Sequence, residues 1–158
     1  MNLEELAQRL QVLEDTEAIK RLKARYCAFC DDGYDPDGIA NLFTEDGVWD
    51  SGDTFGKCEG RAAIRKFFVG GPKQLPFALH YVMNPVIEVN GDTATGTWYL
   101  FQACTFAKGN QAVWGAAKYD DQYVKVNGEW KFRHLSVASE FWTPFDEGWA
   151  KKPFLQAG

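Results

Sequence analysis

The side chains of this sequence best support acid–base chemistry, and the stretch YCAFCDDGYD, residues 26–35, holds most of the candidates. Tyr26 lies in a helical pattern, and Asp31 and Asp32 stand where that pattern ends at a glycine. A carboxylate at a helix C-terminus meets the negative end of the helix dipole, which costs up to about 1 kcal/mol. We therefore expect one aspartate to have a partner that offsets this cost and the other to be solvated.

Histidine transfers protons readily near neutral pH, and the sequence contains two, His80 and His134. A lone histidine is more often a structural polar residue than a catalyst, so a second group must distinguish one of them. A histidine general base needs an acceptor on its far ring nitrogen, and Asp31 could supply it. Our hypothesis makes His80 the base, Asp31 its orienting group and Tyr26 a hydrogen-bond donor to substrate. A buried network kept for structure is the alternative.

Cysteine spacing gives little support for a metal or redox site. Cys27 and Cys30 form a C-x-x-C, but the motif lies inside a helical pattern, whereas a reactive thiol pair sits at a helix start. Cys58 and Cys104 stand alone, so the paired clusters of a structural zinc site are missing. We expect Cys27 and Cys30 to pack in the core, and we predict neither a metal nor a cofactor.

Composition favours an apolar small-molecule ligand. Aromatic residues make up 15% of the 158 positions, and the net charge of -5 comes without a block of basic residues. This argues against nucleic acid and anionic membranes as partners. The charged N-terminus MNLEELAQRL is unlike a signal peptide, so we expect a cytoplasmic protein. Aromatic rings expected to line a substrate pocket are Trp49, Trp98, Phe101, Trp114 and Phe141.

Helices are predicted for the first half of the chain, over about residues 4–69. The first helix should end near Asp32, where Gly33 suits a C-terminal cap. Asp35 and Pro36 form the N-cap and first turn of a short helix that we expect to carry Leu42 and Phe43. The segment GRAAIRKFFVGG predicts a further helix bracketed by glycines.

Strands are predicted from about residue 79 to residue 142, in four runs separated by the turn sequences NGD, KGN and NG. Helices followed by an antiparallel meander indicate an α+β fold. We predict one domain over 1–158, with a curved, mostly antiparallel sheet wrapped around the N-terminal helices and enclosing a pocket. The tail, 143–158, should pack over the pocket or a neighbouring subunit.

Nearly the whole chain resembles the SnoaL-like branch of the nuclear transport factor 2-like superfamily. The resemblance is carried by IKRLKARYCAFCDDGYDPDGIANLFTEDGVWD, GRAAIRKFF, LHYVMNPVIEVNGDTATGTWYL, YDDQYVKVNGEWKF and FWTPFDEGW. It implies a cone-shaped α+β barrel and a homotrimer. The branch includes cofactor-free lyases such as scytalone dehydratase, bile acid 7α-dehydratase and hexachlorocyclohexane dehydrochlorinase.

The resemblance extends to individual residues. The bile acid dehydratases have a tyrosine on the first helix, an aspartate five positions later and a histidine at the first long strand. Tyr26, Asp31 and His80 occupy these places. The dehydrochlorinase shares the aspartate and histidine, and its FTP segment is similar to WTPF here.

These relatives also use an arginine late in the sheet. The corresponding positions here carry Val126 or Ser139, and Arg133 is the arginine nearest to them. We predict a cofactor-independent dehydratase that removes water from an apolar hydroxylated ring compound, such as a steroid or bile acid derivative. Elimination of chloride, ketosteroid-type isomerisation, cyclisation and non-catalytic ligand binding are the alternatives.

Overall fold

The computed structural model describes residues 1–155, so the last three positions of the predicted domain and tail lie outside the described residues. Five helices alternate with the first two strands: α1 Leu3–Asp31, α2 Pro36–Ala40, α3 Gly52–Phe55, α4 Arg61–Val69 and α5 Gly71–Gln74. The strands are β1 Phe43–Asp50, β2 Lys57–Glu59, β3 Phe77–Asn90, β4 Thr93–Phe106, β5 Gln111–Val126 and β6 Glu129–Pro144.

The strands form one curved, open sheet in the order β2-β1-β6-β5-β4-β3. From β3 to β6 the pairing is an antiparallel meander, and β1 joins it in parallel alongside β6. The predicted α+β class and mostly antiparallel sheet are confirmed. Because β2 and β3 are edges, the cone is closed by the helices and not by strand pairing.

Helix α1 is the longest element and connects the two ends of the cone. An Asn2–Glu5 capping box begins it, and its side chains are buried only from Asp15 onward. It ends as predicted: the Asp32 N–H donates to the Ala28 carbonyl, and Gly33 takes the left-handed φ of 67° that favours glycine. Neither α1 nor another described helix combines the length and apolar character needed to cross a membrane.

Helix α2 begins as predicted but ends early. The Asp35 side chain accepts hydrogen bonds from the Asp37 and Gly38 N–H groups, and Pro36 occupies the first turn. The expectation that this helix carries Leu42 and Phe43 is wrong, because β1 starts at Phe43. The Leu42 carbonyl accepts from the Phe132 N–H, so pairing with β6 overrides the helical pattern.

A buried ion pair lies between α1 and the sheet. The Lys23 ammonium is 2.8 Å from the Asp121 carboxylate, and both side chains are fully buried. Tyr123 donates its hydroxyl to the same Asp121 oxygen, and the Trp98 indole N–H donates to Tyr123. Burial lowers the pKa of Lys23 and raises that of Asp121, while their mutual attraction opposes both shifts.

Candidate active site

Asp31 and His80 meet where the end of α1 faces β3. The Asp31 Oδ1 atom is 2.6 Å from His80 Nδ1 and also accepts the His80 backbone N–H at 2.9 Å. The contact expected between these two residues is therefore present. Asp32 is exposed, in agreement with its predicted role as the solvated neighbour.

The Asp31 contact assigns the histidine tautomer. A carboxylate accepts hydrogen bonds, so Nδ1 of neutral His80 carries the proton and Nε2 has a free lone pair. The His80 side chain is 7% exposed and that of Asp31 is 25% exposed. The ring is thus held by a partly solvated carboxylate while its other nitrogen is free to accept a proton.

A cavity between the helices and the inner face of the sheet receives the His80 side chain. Its empty volume is about 630 Å³, a figure that includes the part open to solvent. Aromatic side chains dominate its wall: Tyr26, Tyr34, Trp49, Phe55, Phe67, Phe68, Tyr119 and Trp142. Its polar groups besides His80 are Ser51, Gln74, Gln102 and Ser139. A ligand bound here would meet mostly rings and few polar atoms.

Tyr26 and Trp49, two of the predicted site residues, lie in the cavity wall and form a hydrogen-bonded pair. The Trp49 indole N–H donates to the Tyr26 hydroxyl oxygen at 2.9 Å. Burial raises the pKa of Tyr26 well above its ordinary value, so the phenol keeps its proton. Its oxygen accepts from Trp49, so the hydroxyl group can donate, and the Cys30 thiol is one neighbour within its reach.

Tyr34 and Gln102 also face the cavity, and the sequence interpretation missed both. Tyr34 follows the glycine that ends α1, where a left-handed turn sends its ring back toward β3. Gln102 lies directly opposite His80 in the β3–β4 pairing. Directly opposed residues of paired strands share a face, which is the signal that could have identified Gln102.

Three predicted pocket residues lie outside this cavity, and their assignment is corrected. Phe101, Trp114 and Phe141 alternate with the inward-facing residues of their strands and point to the outer face of the sheet. There they form an outer aromatic cluster with two residues of the tail. Three ring pairs make up this cluster, with centroids 5.2, 5.9 and 5.3 Å apart: Phe101–Trp114 and Trp114–Phe145, which are tilted, and Phe141–Trp149, which is stacked.

Trp98 and Arg133 also do not line the cavity. Trp98 does point inward, but its indole is engaged with Tyr123 beside the buried ion pair. Arg133 is exposed, because the β5–β6 register shifts between Gln122 and Tyr123 and leaves it outside the ladder. Ser139, one of the positions considered for the family arginine, does line the cavity.

The tail packs along the end of β6. Leu155 donates its N–H to the Trp142 carbonyl, and the Trp142 N–H donates to the Pro153 carbonyl. Since Trp142 lines the cavity, these contacts fix one part of the wall. The described tail therefore meets the expectation that it does not trail free, and residues 156–158 lie beyond it.

The cysteines of the C-x-x-C pack in the core. Burial raises the pKa of the Cys27 thiol to about 11 and that of Cys30 well above its ordinary value. Such thiols stay protonated at neutral pH. Within residues 1–155, no group of three histidine, cysteine, aspartate or glutamate side chains is arranged to hold a metal ion.

A comparison with known families identifies the domain. The profile of the SnoaL-like domain matches residues 11–136. The chain belongs to the SnoaL-like family. The predicted family is thus confirmed over most of the chain, and the N-terminal turns of α1 precede the matched region.

Solved structures similar to this SnoaL-like protein carry several names. One, from Novosphingobium aromaticivorans DSM 12444, is provisionally named a scytalone dehydratase. It is 26% identical in sequence and superposes with a TM-score of 0.76, and the match covers 84% of this chain and 89% of the other. A type 3 hexachlorocyclohexane dehydrochlorinase from Novosphingobium barchaimii LL02 is 23% identical and superposes with a TM-score of 0.76. The match covers 84% of this chain and 91% of the dehydrochlorinase.

Another structure from Novosphingobium aromaticivorans is provisionally named an aromatic ring hydroxylase. It is 26% identical and superposes with a TM-score of 0.77, and the match covers 84% of this chain and 94% of the other. The named activities of these proteins differ although the SnoaL-like fold is shared. The shared fold therefore does not determine the reaction of this chain.

Proposed function

We propose that the protein is a cofactor-independent lyase that removes water from an apolar hydroxylated ring compound, such as a steroid or bile acid derivative. The observation that carries the proposal is the Asp31–His80 contact of 2.6 Å in the wall of an aromatic cavity. The name of the scytalone dehydratase relative is consistent with it.

In the proposed reaction His80 Nε2 removes a carbon-bound proton from the substrate. Asp31 keeps Nδ1 protonated and stabilises the imidazolium as it forms. Tyr26 donates its hydroxyl proton to a substrate carbonyl oxygen, on which negative charge develops as the proton leaves carbon. General base catalysis of this kind supplies roughly 10²- to 10⁴-fold in rate, so a substrate with an acidified C–H bond is the best fit.

A 7-hydroxy-3-oxo-4-ene steroid is the test substrate, because loss of water gives a dienone that is followed by its absorbance. His80→Ala should lower turnover by roughly 10²- to 10⁴-fold. His134→Ala is the matched control, since His134 lies outside the cavity and 3.9 Å from Asp50. Full activity of His80→Ala would refute the mechanism.

Elimination of chloride is the second candidate, supported by the apolar wall and by the name of the dehydrochlorinase with the same fold. It uses the same base and differs in the leaving group. Mass analysis of the product separates these eliminations from isomerisation, in which the mass of the substrate is retained. A protein that binds such ligands without changing them would support a binding module.

We also propose a homo-oligomer, a trimer by family resemblance. The outer aromatic cluster supports this, because Phe145 and Trp149 remain 63% and 58% exposed on the face of the sheet. Sedimentation velocity of the purified chain tests it: a monomer at all concentrations would contradict the proposal.

A further inference from the structure

Tyr34 is held in the cavity wall in a conformation that its residue type disfavours. Its φ is 56°, a left-handed value that is uncommon for a bulky residue; strained residues of this kind cluster at functional sites. The ring is 6% exposed and lies between Phe68 and His80, with centroid distances of 5.9 and 6.2 Å. Gly71 makes room for it: a Cβ there would lie 2.9 Å from the Tyr34 ring.

Gln102 is the polar side chain of β4 that lines the cavity together with Tyr34. The amide is 2% exposed and shares the inner face of the sheet with His80. Tyr34 and Gln102 line the same cavity wall, and burial raises the pKa of Tyr34, so the phenol keeps its proton at neutral pH. The Tyr34 proton is then available to a ligand beside His80.

We propose that Tyr34, oriented by Gln102, binds the oxygen of the departing hydroxyl group, so that the site is built for loss of water and not of halide. This proposal rests on the elimination proposed above. Tyr26 and Tyr34 would then divide the work: Tyr26 serves the substrate carbonyl, and Tyr34 serves the leaving oxygen.

The proposed step is balanced without a further reactant. His80 Nε2 takes the proton, and the electron pair of the C–H bond becomes the new C=C bond. The C–O bond breaks, its electron pair stays on oxygen, and the proton held by His80 passes to that oxygen to give water. Tyr34 donates a hydrogen bond throughout and ends unchanged. Since hydroxide is a poor leaving group, this donor matters more for water than for chloride.

Two substrates with one product test the assignment: the 7-hydroxy-3-oxo-4-ene steroid and its 7-chloro analogue, which both give the same dienone. We expect Tyr34→Phe to lower kcat/KM for the hydroxy substrate by roughly 10- to 100-fold, and that for the chloro substrate by less than about threefold. Gln102→Leu should shift the same ratio in the same direction. Tyr99→Phe is the matched control, because Tyr99 lies exposed on the outer face.

The outcomes separate this inference from the proposed function. An equal loss for both substrates would mean that Tyr34 binds a shared group such as the carbonyl, and would overturn the assignment. Unchanged activity of Tyr34→Phe towards both substrates would overturn it as well. If the wild-type protein eliminates neither leaving group, the proposed function itself fails. A changed ratio together with loss of activity in His80→Ala supports both.

A second observation concerns the N-terminal arm, which we define as residues 1–14 of the chain. All of these residues are exposed, including four leucines on one side of the capped helix. Their exposed fractions are 85% for Leu3, 50% for Leu6, 53% for Leu10 and 67% for Leu13. Their spacing of three, four and three residues places them at the a and d positions of two heptads.

Charges beside the leucine stripe match a parallel copy of the same helix. In this register Arg9 is at g and Glu14 at the following e position, the spacing at which g and e residues of parallel helices pair. Among the described residues neither side chain has an ion-pair partner within its own chain. We infer that the arm packs in parallel against the arm of a second copy of this chain.

Sedimentation velocity over a concentration series tests this pairing. Leu6→Glu with Leu10→Glu should weaken association at least about tenfold, because both charges fall on the stripe. Gln8→Glu with Gln11→Glu is the control, since it adds the same charge on the other side of the helix. Arg9→Glu should weaken association, and adding Glu14→Arg should restore it. Equal effects of both glutamate pairs, no rescue, or a monomeric wild type would each overturn the inference.

Discussion

Two acid–base pairs join α1 to the sheet, and their surroundings are opposite. Lys23 and Asp121 are both fully buried, and Asp121 also accepts a hydrogen bond from Tyr123. Asp31 lies about two helical turns further along α1 and contacts His80 of β3, with the carboxylate partly solvated and the imidazole against the cavity. The first pair is closed off from solvent, with the Lys23 and Tyr123 contacts both on one Asp121 oxygen, Oδ2, whereas the second pair has a ring nitrogen available to a ligand.

This difference distinguishes a structural pair from a reactive one. A charge pair buried on all sides is costly to break and has no access to a substrate. A pair at a cavity wall gives less stability but can exchange protons. Removing a partner from the first should therefore change folding, and removing a partner from the second should change catalysis.

The largest effect is expected for Lys23→Met. It leaves the Asp121 carboxylate buried without its cation, which should lower the free energy of unfolding by about 3–5 kcal/mol. Urea denaturation measures this loss. Adding Asp121→Leu removes the stranded charge and should recover a large part of it. A loss below about 1 kcal/mol would mean that the pair is not the structural one.

Asp31→Asn should act on the reaction instead. The amide no longer stabilises an imidazolium, so we expect kcat/KM for the hydroxy steroid to fall by about 10²- to 10⁴-fold. The free energy of unfolding should change by less than about 1 kcal/mol. Asp32→Asn, at the exposed neighbouring position, is the control and should keep full activity. The reverse pattern, a large stability loss with unchanged turnover, would favour a structural network.

A third pair lies at the other end of the buried part of α1 and should have a smaller, pH-dependent effect. Burial alone would raise the pKa of Asp15, but hydrogen bonds from Lys125, at 2.7 Å, and Trp130, at 2.9 Å, lower it below its ordinary value. Asp15→Asn should therefore cost about 1 kcal/mol at pH 7.

The pH dependence of this effect follows from the lowered pKa. A carboxyl group whose pKa is lower in the folded state stabilises the fold above its unfolded pKa, near pH 4, and loses that contribution as pH falls further. The wild-type and Asp15→Asn unfolding curves should thus converge at acidic pH. A difference that stays constant from pH 7 to pH 3 would contradict the interpretation.

The smallest effect is a difference in thiol labelling. Cys27 and Cys30 lie on α1 between the two pairs and are buried, whereas Cys58 is partly exposed. In the native protein a thiol reagent should modify Cys58 first, because burial raises the pKa of Cys27 to about 11 and that of Cys104 to about 12. Lys23→Met should speed labelling of Cys27 and Cys30 more than Asp31→Asn does, as detected by mass spectrometry of peptides.

The helix boundaries were predicted well where the determining signal lies within a few residues of the boundary. The Asp35 cap, the proline after it and the glycine that ends α1 all act as their residue types imply. The Asp31–His80 contact was also anticipated, because a misplaced carboxylate and a histidine at a strand start each need a partner. Its catalytic role stays a prediction.

Predicting the cavity wall from aromatic content alone failed for a physical reason. Alternation along β4 separates Leu100 and Gln102 from Phe101, but it does not say which set faces inward. Bulges then change the register, as at Arg133. Depth matters as well, since Trp98 points inward yet belongs to the closed end of the cone. Such choices depend on long-range pairing that a local pattern does not contain.

One oxygen of Asp31 accepts both the ring and the backbone N–H of a residue 49 positions away in the chain. Sliding β3 by one residue along α1 would therefore break both hydrogen bonds together and release the imidazole to either tautomer. A correctly poised proton acceptor exists only in chains whose helix and strand have docked in register. Recovery of turnover during refolding should accordingly report the completion of this long-range assembly, and incompletely folded chains should carry no misdirected reactivity.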